Sequence, residues 1–514
     1  MNPQPRALAI GGISAALVLS VLPAAAVSSA SVGHDRMVNA VVVARPGVHL
    51  PLSVAGGHVR AVFSTIGSEL VRAPLSSLKA LASDFRVAGV TPDRAGTMSG
   101  FTGKAAATDK TKSVFASVRL GGDAGKDDTG AGVNVAMLDT GLSDTPALSR
   151  ASGRVTDGVD VSAIAAGGDA QTQGQFTDGY GHGTFLASLI AGGKVPGSGG
   201  HALGVAPGAR IVVVKVADDQ GRTTLSQVLA GMDWVAAHAK APNGTQMIQV
   251  LNVALAVDRP TAPSYGADPL TTAVEQVRAA GVLVVAASGN VAGEVGDPGL
   301  DPQAATIGAA DLTGGQPSVA PFSGSGVVAG VQKPDLVASG VHVLGLLAPS
   351  SSIAQNNPSG WQDNGLFRGS GTSEATAVAS GVAAAYYSDH PGATPLQAKT
   401  ALRDAASGDP RDARAGAGLL SMTKKGNDPK SRNSTNTGEN SFNADSWQAN
   451  SWQPGFDWVS LLASSWSASS WSASSWSASS WSASSWSGAT WSASSWSASS
   501  WSASSWSSYS WGDN

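Results

Sequence analysis

Between residues 127 and 422 of this 514-residue chain, short apolar runs alternate with stretches of helical spacing. The apolar runs predict strands at residues 133–138, 211–216, 248–256, 282–287 and 305–308. The stretches of helical spacing predict helices at residues 185–192, 224–239, 269–280 and 372–389. Continuous apolar strands separated by helices indicate a mostly parallel sheet that is covered by helices on both faces. We therefore expect an α/β fold whose active site lies beyond the carboxyl ends of the strands.

Three short segments, in the order Asp, His, Ser, carry the residues of a catalytic triad. Asp139 ends the first predicted strand and precedes Thr-Gly, His182 lies in Gly-His-Gly-Thr, and Ser373 follows Gly-Thr at the start of a predicted helix. A serine hydroxyl becomes a good nucleophile when a histidine takes its proton and a carboxylate orients that histidine. The start of a helix also favours a developing oxyanion. Each segment alone is common, but the three together predict nucleophilic catalysis by serine.

With Asn290 at the end of Ala-Ala-Ser-Gly-Asn, these segments resemble those of the subtilisin-like serine peptidases, the subtilases. The resemblance covers about residues 37–422 and implies a serine endopeptidase that is made as a zymogen. It implies that Ser373 attacks the scissile carbonyl, that His182 is the general base and then the general acid, and that Asp139 orients His182. Asn290 and the backbone N–H of Ser373 would hold the oxyanion.

The sequence departs from the family pattern at four places, one of which is Ala377, where the family has a proline four residues after the nucleophile. Phe185 stands where the family usually has a second histidine, which is not the triad histidine. The segment 254–257 reads Ala-Leu-Ala-Val where the family has Ser-Leu-Gly-Gly, and the added methyl groups are expected to narrow the primary specificity pocket. Glu374 replaces the methionine after the nucleophile. An ionised carboxylate there would oppose the oxyanion unless it is paired, protonated or turned away.

The first thirty residues predict a secretory signal peptide. Arg6 is the only charge before an apolar run over residues 7–27, and small residues follow. The alternative is an uncleaved membrane anchor, because this run is just long enough to span a bilayer. No later stretch is apolar enough to cross one. We therefore expect a secreted protein that is soluble or associated with the cell wall.

Residues 31–110 are predicted to hold a propeptide and a maturation linker. Strands are expected at residues 38–44, at 58–66 with a continuation at 69–73, and at 85–91, with a helix at 74–82. This β-β-α-β pattern resembles the inhibitory propeptide of subtilases, which would inhibit its own peptidase domain. The alternative is an unrelated small α+β domain. Residues 96 to about 126 are polar and weakly patterned, which favours a linker that is cleaved on maturation.

The peptidase domain is predicted at residues 111–423, a polar linker at 424–445 and a repeat tail at 446–514. In the tail, tryptophan recurs every five residues from Trp466 to Trp511. This period forms no stripe on a helix and places successive tryptophans on opposite faces of a strand. Three alternatives stay open for the tail. It is a disordered low-complexity segment, a ladder of aromatic rings that binds the polysaccharides of a cell wall, or an ordered assembly module.

Cysteine is absent, which excludes disulfides, a cysteine nucleophile and thiolate metal sites. The formal net charge is -4 without a basic patch, so nucleic acid is not an expected partner, whereas protein or peptide substrates are. The triad chemistry requires no cofactor. Structural calcium, which many subtilases bind, stays open and unplaced, because Asp157, Asp160 and Asp169 have no spacing that identifies a site. The alternative function is a catalytically impaired surface or wall-binding protein that acts through its tail.

Overall fold

The computed structural model describes residues 35–98, 129–258 without 197 and 199, 268–407 without 314, 315 and 329, and 412–421. The predicted signal peptide, the polar linker and the repeat tail lie outside these residues, as does the maturation linker from residue 99 onward. Within the described part of the chain, no helix is both long and apolar enough to cross a membrane. The boundaries of the five predicted segments stay predictions.

A small antiparallel sheet opens the described chain. Its elements are β1 (Met37–Ala44), β2 (His58–Phe63), β3 (Ser68–Pro74), α1 (Leu75–Leu81) and β4 (Val87–Pro92), with the strands in the order β2-β3-β1-β4. Leu78 and Leu81 of α1 pack on one face of this sheet. The opposite face, with Val41 and Leu70, packs on the larger domain. The small sheet is therefore packed between helix α1 on one face and the larger domain on the other.

One strand prediction in this part is wrong. Residues 69–73 do not continue the strand that begins at His58; they form the returning strand of a hairpin, in which Phe63 pairs with Ser68. The turn between them ends at Gly67, whose φ of +73° is a left-handed conformation that glycine adopts at little cost. Because the hairpin reverses the chain here, the alternating pattern on its two sides belongs to two strands.

The larger domain is built on a mostly parallel sheet. Its strands are β6 (Asn134–Asp139), β7 (Val155–Asp160), β8 (Arg210–Lys215), β10 (Val250–Val253), β12 (Leu283–Ala287), β13 (Ala305–Asp311), β14 (Ser318–Val319), β17 (Leu336–Ser339), β20 (Ala406–Ser407) and β21 (Leu419–Leu420). The strands outside this sheet are β5 (Ala95–Met98), β9 (Arg222–Thr224), β11 (Leu255–Val257), β15 (Gly326–Val328), β16 (Val331–Lys333), β18 (Val343–Gly345) and β19 (Phe367–Gly369). The main order is β20-β21-β17-β13-β12-β10-β6-β8-β7, with β14 beside β13.

Helices cover both faces of this sheet. They are α2 (His182–Ala191), α3 (Leu225–His238), α4 (Pro269–Ala279), α5 (Ser352–Asn356), α6 (Thr372–Asp389) and α7 (Pro395–Asp404). Along β6, Val135 and Met137 face the core formed with α2 and α6, whereas Ala136 and Leu138 face the core formed with α3 and α4. Strands buried on both faces explain the continuous apolar runs in the sequence. The predicted mostly parallel sheet between two layers of helices is confirmed.

Strand β6 lies where the strand order reverses. The chain forms β7 and β8 on one side of β6 and then crosses to form β10, β12 and β13 on the other side. All the pairings that link these strands are parallel. In open α/β sheets, the crevice beyond the carboxyl ends of the strands at such a reversal is the usual binding site. Asp139 is the last residue of β6 and therefore lies at this crevice.

The apolar run at 248–256 is divided between two sheets. Strand β10 belongs to the main sheet, whereas β11 leaves it and pairs with β5, which also pairs with β9. Residues 96–98 were expected in a linker, and this prediction is wrong, because they lie in the middle strand of the β11-β5-β9 sheet. Met98 pairs with Leu255, and Gly96 pairs with both Val257 and Thr223.

Candidate active site

Asp139 and His182 form a buried pair at the crevice. Oδ1 of Asp139 lies 2.8 Å from Nδ1 of His182, and both side chains are buried. In this contact Nδ1 donates its hydrogen to the carboxylate, so that Nε2 is the nitrogen that can exchange a proton with a substrate or nucleophile. The structure thus brings together the first two residues of the predicted triad.

The charge of the surrounding carboxyl groups shifts the titration of the histidine. Burial alone would lower the pKa of His182, but the charge and the hydrogen bond of Asp139 raise it. Glu374 and Asp178 add smaller contributions in the same direction, and the pKa of His182 is raised overall. A raised pKa makes the histidine a stronger base once it is neutral, and it moves the onset of general-base action to higher pH.

Two glycines allow the start of α2 to pack closely against its neighbours. A Cβ atom on Gly183 would collide with the carbonyl oxygen of Gly141. Gly181 has a φ of +111°, and a Cβ atom there would lie 2.7 Å from both Leu347 and Ser351. Gly183 therefore allows close packing of α2 against the chain that follows β6, which sets the distance between His182 and Asp139, whereas Gly181 allows close packing against the segment before α5.

Asp178 holds the first turn of α2, a role that is not predicted from the sequence. Its carboxylate accepts hydrogen bonds from the backbone N–H of Gly181 at 2.6 Å and from that of Thr184 at 2.8 Å. It also accepts from the hydroxyl groups of Thr184 at 2.7 Å and Thr140 at 2.8 Å. The signal that could have found it is its place four residues before His182, where a carboxylate can bind the exposed N–H groups of a helix start.

Ser373 lies in the first turn of α6, beside the residue that precedes β11. The helix begins at Thr372, so the N–H of Ser373 is among those without an intrahelical partner. The Ser373 hydroxyl donates to the carbonyl oxygen of Ala254 at 3.1 Å. Ala254 directly precedes β11. The nucleophile candidate is thereby fixed to one end of the β11-β5-β9 sheet.

Asn290 is oriented by the residue before the nucleophile candidate. Its Oδ1 atom accepts from both the N–H and the hydroxyl of Thr372, each at 2.9 Å. Because the oxygen is used in this way, the amide nitrogen of Asn290 is the end that faces away from Thr372 as a hydrogen-bond donor. A donor held beside a helix start is the arrangement that stabilises negative charge on an oxygen atom.

Glu374 is buried in the first turn of α6. Neither of its carboxyl oxygens has a hydrogen-bond partner in another described residue, and its side chain is fully excluded from solvent. Burial raises the pKa of Glu374 to about 8, against the opposing effect of His182. Of the three conditions under which a glutamate is tolerated beside an oxyanion, the structure therefore favours protonation at neutral pH.

The cleft around β5 is narrow. A Cβ atom on Gly96 would lie 2.9 Å from Cγ2 of Thr223 and 3.2 Å from Cγ2 of Val257. On the far side of β11, a Cβ atom on Gly296 would lie 3.1 Å from the methyl group of Ala256. The extra methyl group noted in the sequence therefore occupies space beside Gly296. Phe185 lies elsewhere, buried in edge contact with Phe367 at a centroid distance of 6.4 Å.

The described residues contain no group of three His, Cys, Asp or Glu side chains that could hold a metal ion. Asp157, one of the acidic residues considered for calcium, is paired instead with the guanidinium of Arg150 at 2.5 Å. Asp160 accepts from the backbone and hydroxyl of Ser162 at 2.9 and 2.6 Å. These two carboxylates are already satisfied by protein donors.

Comparison with models of known protein families identifies the family of this chain. The model of the subtilase family, Peptidase_S8, matches residues 130–441, which is more than half of the chain. The chain belongs to the subtilase family. Its site, with Asp139 beside His182 and Ser373 at a helix start, lies within the matched residues.

Several curated proteases are similar to this chain. It is 33% identical over 287 residues to serine protease AprX of Bacillus subtilis (strain 168), a match that covers 54% of this chain and 61% of that protein. It is also 33% identical over 280 residues to subtilisin Savinase of Lederbergia lenta, covering 54% and 85%. M-protease of Shouchella clausii (strain KSM-K16) is 33% identical over 293 residues, covering 57% and 63%. The chain thus spans less than two thirds of two of these relatives.

Among solved structures, fervidolysin from Fervidobacterium pennivorans has a similar fold. It is described as a keratinolytic enzyme related to subtilisin. The superposition has a TM-score of 0.56 at 20% identity and covers 76% of this chain and 61% of fervidolysin. At this identity, the likeness concerns the fold alone.

Proposed function

We propose that this protein is a secreted serine endopeptidase that hydrolyses peptide bonds with Asp139, His182 and Ser373. Ser373 attacks the scissile carbonyl while Nε2 of His182 accepts its proton, and His182 then donates that proton to the leaving amine. Asp139 orients the imidazole through Nδ1 and stabilises its protonated form. Asn290 and the N–H of Ser373 donate to the oxyanion, and each such donor typically contributes about 10²–10³ in rate.

The observation that carries this proposal is the buried contact of 2.8 Å between Asp139 and His182 at the strand-order reversal. It supports a triad because the nucleophile candidate is held at the same crevice, by a hydrogen bond of 3.1 Å to the carbonyl oxygen of Ala254, the residue before β11. Asn290, fixed on Thr372, lies next to the same serine. The relatives named as proteases support a peptide substrate.

The small N-terminal sheet and β5 act in this proposal as an inhibitory propeptide. Strand β5 fills the slot between β9 and β11, where an extended substrate would bind. It runs from Gly96, opposite Val257, to Met98, opposite Leu255, and so heads towards Ala254 and the Ser373 hydroxyl. The direction favours cleavage shortly after Met98, at the start of the predicted maturation segment rather than near residue 126.

Labelling with a fluorophosphonate tests the function most directly. The reagent should modify the wild-type enzyme at Ser373 and leave Ser373→Ala unmodified, and casein hydrolysis should follow the same pattern. N-terminal sequencing of the secreted protein then locates the processed bond and shows whether the signal peptide is removed. Hydrolysis of casein by Ser373→Ala at the wild-type rate would contradict the proposed mechanism.

A further inference from the structure

Arg94, the residue before β5, inserts its side chain into the larger domain. Its Nη2 atom donates to Oδ2 of Asp268 at 2.5 Å, and its Nη1 atom donates to the carbonyl oxygen of Asp258 at 2.9 Å. Arg94 is 1% exposed and Asp268 is 6% exposed. The guanidinium thus binds two acceptors, a carboxylate and a carbonyl, in a buried site. Separation of the small sheet from the larger domain would leave a buried charge without its partner, which is costly in free energy.

The acceptors of this pair are fixed by the larger domain itself. Asp268 is the N-cap residue of α4, and its other oxygen, Oδ1, accepts from the N–H of Leu270 at 3.0 Å. The carboxylate is therefore held in place by its own helix, with Oδ2 directed at the guanidinium. The position of the Asp268 carboxylate is therefore set within the larger domain.

The main chain around Arg94 is held in register from both sides. The carbonyl oxygen of Arg94 accepts from the N–H of Leu225 at 2.7 Å, and that of Ala95 accepts from the N–H of Asp258 at 2.8 Å. These bonds continue the pairing of β5 with its two neighbours. Any peptide that binds in the same extended register would place its corresponding side chain against Asp268.

From this geometry we infer that Asp268 and the carbonyl of Asp258 form a subsite for an arginine side chain of the substrate. The arginine would lie four residues before the residue that faces Leu255. The inference rests on the proposed function, in which substrates replace β5 in the slot. Arginine suits the site better than lysine, because its planar group presents several donors that reach a carboxylate and a carbonyl together.

Departure of the propeptide gives the subsite its selectivity. Once Arg94 leaves, a carboxylate fixed at a helix start faces the cleft without its cation. A substrate arginine restores the pair, whereas a neutral side chain of the same shape must cover the carboxylate without neutralising it. Removing one partner of a buried, hydrogen-bonded charge pair at an interface typically weakens binding by about 30-fold or more.

Two synthetic peptides of the sequence 91–98, Thr-Pro-Asp-Arg-Ala-Gly-Thr-Met, test the subsite on the mature enzyme. One carries arginine and the other carries citrulline, which has the same shape and no charge. The measurement is the inhibition constant of each peptide against hydrolysis of casein. We expect the citrulline peptide to inhibit about 30-fold more weakly. Equal inhibition by both peptides, or none by the arginine peptide, would overturn the subsite.

Enzyme variants assign the difference to the carboxylate. In Asp268→Asn, the ratio of the two inhibition constants should fall several-fold, since the carbonyl oxygen of Asp258 is the acceptor that remains. Asp233→Asn is the matched control, because Asp233 binds the N–H groups of Thr65 and Ile66, which the peptide lacks; it should keep the wild-type ratio. A ratio that persists in Asp268→Asn contradicts the assignment.

The same experiment separates the two proposals. An enzyme that does not hydrolyse casein contradicts the proposed function. An active enzyme that does not distinguish arginine from citrulline contradicts only the subsite, and Arg94 would then act solely as a latch of the precursor. If Asp268→Asn does not fold, the two peptides still decide the question on the wild-type enzyme.

Discussion

Thr140 donates its hydroxyl hydrogen to Asp178 at 2.8 Å, which links the residue after Asp139 to the carboxylate that holds the start of α2. The same hydroxyl oxygen accepts from the N–H of Gly183 at 3.0 Å. The strand that carries Asp139 and the helix that carries His182 are therefore joined by a second contact beside the one between those two side chains. Asp178 is the centre of this junction.

Asp178→Ala should reduce turnover more than substrate binding. It leaves the N–H groups of Gly181 and Thr184 buried without their acceptor, which should cost about 3 kcal/mol of stability. A small displacement of His182 should lower kcat by about 10²-fold with little change in KM. Asp178→Asn keeps the shape of the side chain and one acceptor oxygen, so its kcat should lie between those of the wild type and Asp178→Ala. Wild-type kcat in Asp178→Ala would show that the junction does not position the histidine.

Ser373→Ala should abolish hydrolysis and also leave the precursor uncleaved. The reason is that the cleft holding β5 leads to Ser373, so the same hydroxyl is expected to process the chain. Mass spectrometry of the purified variant measures the processing. Trimming of the purified variant in the absence of any other protease would show that processing does not depend on Ser373.

Glu374 should shape the pH dependence of catalysis. Its pKa of about 8 keeps the carboxyl neutral at lower pH, and its ionisation above pH 8 places a negative charge close to the oxyanion. The wild-type kcat should therefore decline above pH 8, whereas Glu374→Gln should stay active, with a difference of about tenfold at pH 9.5. Below pH 8 the carboxyl is neutral, so Glu374→Met should keep the wild-type onset of activity at lower pH and, like Glu374→Gln, should not show the decline above pH 8. Unchanged pH profiles in both variants would show that the carboxyl does not act on the site.

The same carboxyl should make the fold less stable as pH rises. Its pKa is raised from 4.5 to about 8, so the folded state binds more protons than the unfolded chain between these values. The free energy of unfolding should fall across this window by about 1.4 kcal/mol per unit of pKa shift. In a Ser373→Ala background, which prevents autolysis, Glu374→Gln should gain stability relative to its parent from pH 5 to pH 8. If the melting temperatures of the two proteins changed with pH in parallel, the predicted effect of Glu374 on stability would be ruled out.

The repeat tail should be dispensable for chemistry. The linker at 424–445 and the lack of catalytic residue types other than serine in the repeats predict that a chain ending near residue 424 keeps its peptide turnover. The ladder of aromatic rings predicts that this chain loses retention on cell-wall material. Equal retention of the truncated and full-length proteins would contradict the binding role and favour the disordered alternative.

The sheet was predictable, and the candidate site residues could be proposed, because their signals are local. Buried parallel strands give uninterrupted apolar runs, and Asp139, His182 and Ser373 each lie in a short segment with its own glycines. The helix over Thr372–Asp389 was predicted with its observed bounds. Helix α7 was missed, although Thr394 and Gln397 form a capping box at its start. Helix α7 has few apolar residues, so its periodic signal in the sequence is weak.

The contacts of β5 were not predictable in the same way. Residues 95–98 have little apolar character, and they become a strand only because β9 and β11, more than 120 residues away along the chain, offer their edges. The pairing of Arg94 with Asp268 spans 174 residues. The role of Asp178 depends on hydrogen-bond donors from two separate parts of the chain, Thr140 and the start of α2. Tertiary partners, rather than local propensity, determine these features.

The slot between β9 and β11 binds a peptide by backbone hydrogen bonds on both sides. It therefore selects a peptide by its backbone conformation before it selects by side chain. Only a segment that can leave its own fold and lie extended over several residues can enter. Regular helices and paired strands of native proteins are excluded, as are those of neighbouring copies of this enzyme. Unfolded regions, loose termini and long loops should therefore be cut first, and the enzyme's own ordered domain should outlast the proteins around it.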